Sequence, residues 1–174
     1  MDSTMGLAEF VSHLSILHEK ARKNELSPSE RDEYERDRED LAATILNAQK
    51  INLKPGETAR RAIRANRVLP VELTVGSKAT KSVTLEVSST GFSVMLPPLS
   101  PEWQDTIRFK MKLPGGSELK GSAKAMSATP SAGHVRVGFQ MTDIAEADRE
   151  ELTRLVFDDL LDKLRRGPAA PKKS

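Results

Sequence analysis

Apolar residues near the start of the chain recur at helical spacing. Leu7, Phe10, Val11, Leu14 and Leu17 fall at three- and four-residue steps, which gathers them on one helix face. Asn24-Glu25-Leu26 ends that pattern, and Ser27-Pro28-Ser29-Glu30 begins another. Ser27 suits the N-cap, and Pro28 suits the first helical position, where its missing N–H costs nothing. Glu30 completes a capping box. The second helix is expected from about Pro28 to about Ile51. Its first half, Arg31 to Asp40, is almost wholly charged, while the second carries Leu41, Ala42, Ile45, Leu46 and Ala48. A two-helix hairpin buries too little apolar surface to stand alone. It is therefore expected to pack on the following domain or on a second copy of the chain.

Asn52-Leu53-Lys54-Pro55-Gly56-Glu57-Thr58 breaks the helical pattern. A basic stretch follows, with arginines at 60, 61, 64 and 67, and from Arg67 onward the period becomes two. The alternation predicts a strand to Val75, a turn at Gly76-Ser77-Lys78, and a second strand on which Val83, Leu85 and Val87 face the core. Glu86 and Ser88 then share the other face. Further strands are expected over Gly91–Leu96, Thr106–Leu113, about Glu118–Ser127 and His134–Gln140. Pro97-Pro98-Leu99-Ser100-Pro101 reads as a loop, Pro114-Gly115-Gly116-Ser117 as a hairpin turn, and Pro130-Ser131-Ala132-Gly133 as another turn. Ile144 to Arg165 reads as an amphipathic helix with Leu152, Leu155, Val156, Leu160 and Leu164 on one face.

The expected fold class is α+β: a small six-stranded antiparallel β-barrel with a C-terminal helix, preceded by an α-helical hairpin. The expected organisation is a hairpin over 1–52, a basic linker over 53–66, a barrel over 67–143, a helix over 144–166 and a disordered tail over 167–174.

Composition narrows the chemistry. The 174 residues contain no cysteine, which removes disulfides, thiolate catalysis and cysteine-ligated metals. Aromatics make up only 4%, so the core has to be mainly aliphatic. No apolar run is long enough to span a membrane, and the N-terminus lacks the pattern of a signal peptide, so the expected compartment is the cytoplasm. Charge is unevenly placed. Residues 1–50 hold 7 Lys/Arg against 11 Asp/Glu, a net of −4, and residues 51–174 hold 20 against 14, a net of +6. The second part is the better match for an anionic partner.

Two short segments frame one predicted strand. Upstream lies Arg60-Arg61-Ala62-Ile63-Arg64, and downstream lies Glu86-Val87-Ser88-Ser89-Thr90-Gly91. In this order, followed by this succession of strands and a final helix, they resemble the RxxxR and [D/N]xSxxG motifs of the PilZ domain. That domain is a bacterial receptor module for the second messenger cyclic di-GMP. The resemblance covers about residues 58–165, and His134-Val135-Arg136-Val137-Gly138-Phe139 is similar to the family's last barrel strand. One position departs: Glu86 stands where the family has Asp or Asn.

The resemblance implies a ligand site made of Arg60, Arg61, Arg64, Glu86, Ser88 and Gly91. The chemistry of these residues suits that ligand. A guanidinium donates in parallel to guanine O6 and N7, or pairs with phosphate oxygens. A carboxylate accepts from the guanine ring N–H and its exocyclic amine. Glutamate keeps this acceptor but adds a methylene, so binding is expected to survive in weakened form. Gly91 is expected to supply positive φ and close backbone approach.

No catalytic constellation is visible, so the chain is read as a sensor rather than an enzyme. Cyclic di-GMP is its ligand and no cofactor is implied. No metal site is expected, because His13 and His18 are five apart on one helix and His134 is remote in sequence. A protein partner of unknown identity is expected downstream, and the N-terminal helices offer a surface for homo-oligomer formation. Two other readings stay open. One is a degenerate adaptor that binds no nucleotide. The other is a nucleic-acid-binding module using the arginines and Lys172-Lys173, disfavoured by the scarcity of aromatic residues for base stacking.

Overall fold

The computed structural model describes residues 5–98 and 106–167. The chain divides into two compact units: Met1–Ile63 with Phe157–Ser174, and Arg64–Val156.

In the first unit, helix α1 spans Leu7–Arg22 and helix α2 spans Pro28–Ile51. The capping box forms as expected. Ser27 Oγ accepts from the Glu30 N–H at 3.3 Å, and the Glu30 carboxylate accepts from the Ser27 N–H at 2.9 Å. Phe10, Val11, Leu14 and Leu17 are buried. Burial fades toward the open end of the hairpin, where Ile45 and Leu46 are half-buried and Leu7, expected on the apolar face, is 60% exposed.

Helix α3 spans Glu146–Arg166 and crosses the boundary between the units. Its second half belongs with α1 and α2, and Phe157 and Leu161 are buried. His18 of α1 is also buried. One of its ring nitrogens meets the Tyr34 hydroxyl at 2.8 Å and the other meets Asp158 at 2.5 Å, so one imidazole joins all three helices. The hairpin thus has its packing partner within its own unit.

In the second unit, the described residues form a closed antiparallel barrel of six strands. These are β1 (Pro70–Val75), β2 (Lys78–Val87), β3 (Gly91–Leu96), β4 (Thr106–Lys112), β5 (Glu118–Ser131) and β6 (His134–Ile144). The order around the barrel is β1-β2-β3-β6-β5-β4. Strand β4 keeps strict alternation, with Ile107, Phe109 and Met111 inward and charged residues outward. Inside, the Phe92 ring lies 5.1 Å from Phe109 and 5.4 Å from Phe139, centroid to centroid. Leu73, Val94, Leu119 and Val137 fill the surrounding space and are fully buried.

Three local expectations are corrected. Strand β1 begins at Pro70 rather than Arg67. The three residues before it are held by Thr84, which bonds Leu69 through its main chain and uses its hydroxyl on both the Leu69 N–H and the Arg67 carbonyl. The β2–β3 register shifts between Thr84 and Glu86. That irregularity turns Thr84 inward, fully buried, and leaves Val83 45% exposed instead of in the core. Strand β5 continues to Ser131, so the turn into β6 shrinks to Ala132-Gly133. Both turn residues have positive φ, 46° and 80°, as a two-residue hairpin turn of this hand requires. Most of the expected loop after β3, from Leu99, and the tail from Pro168 lie outside the described residues.

Candidate functional site

The link between β2 and β3 is built around Ser88. The Ser88 N–H donates to the Gly91 carbonyl at 2.8 Å. Its hydroxyl oxygen accepts from the Gly91 N–H at 3.0 Å and the Thr90 N–H at 3.2 Å. Ser88 is 5% exposed, so this hydroxyl shapes the turn from within. The turn is fixed from two further elements. Met141 of β6 donates its N–H to the Thr90 carbonyl at 2.9 Å, and Arg149 of α3 donates to the Ser89 carbonyl at 2.6 Å.

Gly91 has a different role from the one expected. It is absent from the positive-φ positions. A Cβ here would collide with the Phe139 carbonyl oxygen, so glycine lets β3 close against β6.

Arg64 reaches the barrel by backbone pairing. Ala65 forms a two-way bridge with Val87, each N–H donating to the other's carbonyl at 2.9 Å. This fixes the chain beside β2 and brings Arg64 Nη1 to Glu86 Oε2 at 3.2 Å. A second arginine joins from β6, with Arg136 Nη2 on the same oxygen at 2.9 Å. Both guanidinium groups are nearly half exposed, whereas the Glu86 side chain is 19% exposed. The cluster therefore carries one net positive charge, and its carboxylate is anchored through Oε2 alone. No protein group donates to Glu86 Oε1 among the described residues.

The structure thus brings together Arg64, Glu86, Ser88 and Gly91. Arg60 and Arg61 are exposed and fall on the other side of the unit boundary at Ile63. Sequence reasoning missed Arg136 and Arg149 as members of this region. Arg136 lay inside the segment similar to the family's last strand, and its outward position on β6 was readable from the alternation. Its meeting with Glu86 depends on a strand order that joins β3 to β6. No sequence signal marked Arg149.

The arrangement suits an anionic, planar ligand. Two exposed guanidinium groups offer donors to phosphate or to a base edge, and a held carboxylate offers one free acceptor oxygen. Nothing here activates a nucleophile.

The sequence profile of the PilZ domain matches residues 58–158. An uncharacterized protein of Aquifex aeolicus is 28% identical over 132 residues, which are 66% of this chain and 57% of that protein. The chain thus spans little more than half the length of that relative. Among solved structures, the inhibitor of motility MotI/DgrA of Bacillus subtilis is similar, with a TM-score of 0.56 and 19% identity over 64% of this chain and 58% of that one. The PilZ domain of YcgR from Escherichia coli, solved with c-di-GMP, has a TM-score of 0.52 and 12% identity over 63% of this chain and 97% of that one. At these identities the structural likeness establishes a shared fold.

Proposed function

The chain belongs to the PilZ domain family, a class of non-catalytic receptor domain, and from that premise we propose that it is a receptor for cyclic di-GMP. The observation that carries this reading is the meeting of Arg64 with Glu86 beside a turn locked by Ser88. The two motifs, 22 residues apart at those side chains, converge on one patch of barrel surface. Arg64 offers guanine O6 and N7 or a phosphodiester a planar pair of donors, and Arg60 and Arg61 supply further cations. Glu86 Oε1 accepts from the guanine N1–H or its exocyclic amine.

Ligand draws the Arg60–Arg64 segment onto the barrel, since two arginines four apart meet one compact anion only if their backbone folds around it. The exposed side chains of Arg60, Arg61 and Arg64 support such an ordering step. The reordered segment then changes a contact with a protein partner.

One observation favours a second reading. Glu86 is already paired through Oε2 with Arg64 and Arg136, and a self-paired cluster of this kind serves a nucleotide-free adaptor equally well.

Calorimetric titration of the full chain with cyclic di-GMP separates the two, with GTP and cyclic AMP as controls. The receptor reading expects selective, saturable binding that is lost in Arg60→Ala and in Arg64→Ala. Absence of heat at high micromolar ligand sinks it and favours the adaptor.

A further inference from the structure

Spacing along α1 argued against a histidine pair, but the fold supplies other ligands to His13. Glu33 and Asp37 are four apart on α2 and therefore share a face. His13 faces them from α1, with one ring nitrogen 2.9 Å from Glu33 Oε1. One ligand atom from each of His13, Glu33 and Asp37 lies within 4.8 Å of the other two.

Asp37 is the informative member. Its side chain is 11% exposed, and among the described residues no hydrogen-bond donor meets its carboxylate. Among the described residues its one cation contact is Arg36 Nε at 3.6 Å, beyond good hydrogen-bonding range, from a side chain that is 67% exposed. A largely buried carboxylate whose counter-charge is this distant is poorly compensated, and a bound cation would compensate it better. Meanwhile the side chains of His13 and Glu33 are each 38% exposed, which opens the cluster to solvent on one side.

We infer that His13, Glu33 and Asp37 form a site for a divalent first-row transition metal of the zinc class. One imidazole nitrogen and two carboxylate oxygens are a ligand set that zinc accepts, with water completing the shell on the open side. A zinc ion with bonds of about 2.0–2.2 Å holds its ligands roughly 3–3.5 Å apart, so the cluster needs only side-chain rotation to close around it. The imidazole disfavours magnesium and calcium, which take oxygen ligands. The bound ion ties α1 to α2, replacing the weak Arg36 contact as the charge partner of Asp37. The site lies wholly within the helical unit and does not depend on the nucleotide reading.

The test uses the untagged full chain, stripped with chelator and desalted, then titrated with zinc chloride by calorimetry. Magnesium and calcium serve as controls, and His13→Ala, Asp37→Asn and His134→Ala run alongside. The expected result is one saturable zinc equivalent, lost in His13→Ala and Asp37→Asn and kept in His134→Ala. Zinc should also raise the thermal midpoint of the unaltered chain and leave that of His13→Ala unmoved. Because the His13 side chain is partly exposed, its alanine variant should fold even if Asp37→Asn does not. Absence of saturable binding overturns the inference, as does zinc binding that persists in a folded His13→Ala or disappears only in His134→Ala.

Discussion

Glu86 differs from the family's Asp or Asn by its reach, and the structure shows where the extra methylene goes. The longer side chain carries its carboxylate to Arg136 on β6 as well as to Arg64. A carboxylate braced by a neighbouring strand loses little rotamer freedom on meeting a ligand. If Glu86 reads guanine, Glu86→Ala removes a charge-assisted bond of about 1.5–3 kcal/mol and weakens cyclic di-GMP binding by roughly 10- to 150-fold. Calorimetry measures that directly, and an unchanged affinity would remove Glu86 from the site. Gly91 and Thr84 make predictions about stability instead. Gly91→Ala forces a methyl group into the Phe139 carbonyl, and should cost about 1–3 kcal/mol. Thr84→Val strands the Leu69 N–H and the Arg67 carbonyl in a buried setting, at a similar cost of about 1–3 kcal/mol. Urea unfolding of both variants should show lowered midpoints with unchanged slopes.

Elements whose signals are local were legible, and those set by pairing were not. Ser27, Pro28 and Glu30 lie within four residues and fixed the start of α2, because a capping box needs no tertiary context. The alternation of β4 survived because its pairing has no register shift: every residue has a partner on β5, and Arg108 to Met111 have one on β1 as well. In β2 the same rule failed at Thr84, where a register shift decides which side chain turns inward, and no residue type announces that shift. The candidate site divides in the same way. Its motifs were readable as short strings. Arg136, 50 residues beyond Glu86, was visible only as an outward residue of its strand, and His13 beside Glu33 and Asp37 needed two helices in contact. The capping residue Glu30 also carries a pH prediction. The Lys20 ammonium, at 2.5 Å, and the Ser27 N–H hold its carboxyl down from the ordinary 4.5 to about 2. A depressed carboxyl contributes stability that is complete above the unfolded value and lost as pH falls through the folded one. The α1–α2 linkage should therefore weaken between pH 4.5 and about 2. The group is exposed, so the effect is small and salt-sensitive. Lys20→Met should flatten this acid dependence in melts followed by circular dichroism, and an identical profile in the variant would reject the assignment.

At the scale of the molecule, α3 is the element that belongs to both units. Leu152, Leu155 and Val156 are buried in the barrel unit, and Phe157 and Leu161 are buried in the helical one. The charge asymmetry of the sequence does not follow that division: the helical unit holds 15 Lys/Arg against 15 Asp/Glu and the barrel unit 12 against 10, because Arg60, Arg61 and the basic end of α3 belong with α1 and α2. The second half of α3 matters to α1 and α2 through specific contacts. The Asp158 carboxylate accepts a hydrogen bond from buried His18, and the Arg38 guanidinium stands 5.8 Å from the centre of the Phe157 ring. Ending the chain after Val156 would expose the apolar face of the hairpin and leave the His18 ring without its carboxylate. A hairpin deprived of its third helix returns to the condition in which two helices bury too little surface to persist. Hydrogen exchange should then show α1 and α2 losing protection while β1 to β6 retain theirs, because the barrel closes on its own strands. Loss of protection in both units together would mean that they fold as one cooperative body, and α3 would then be a joint on which the whole molecule depends.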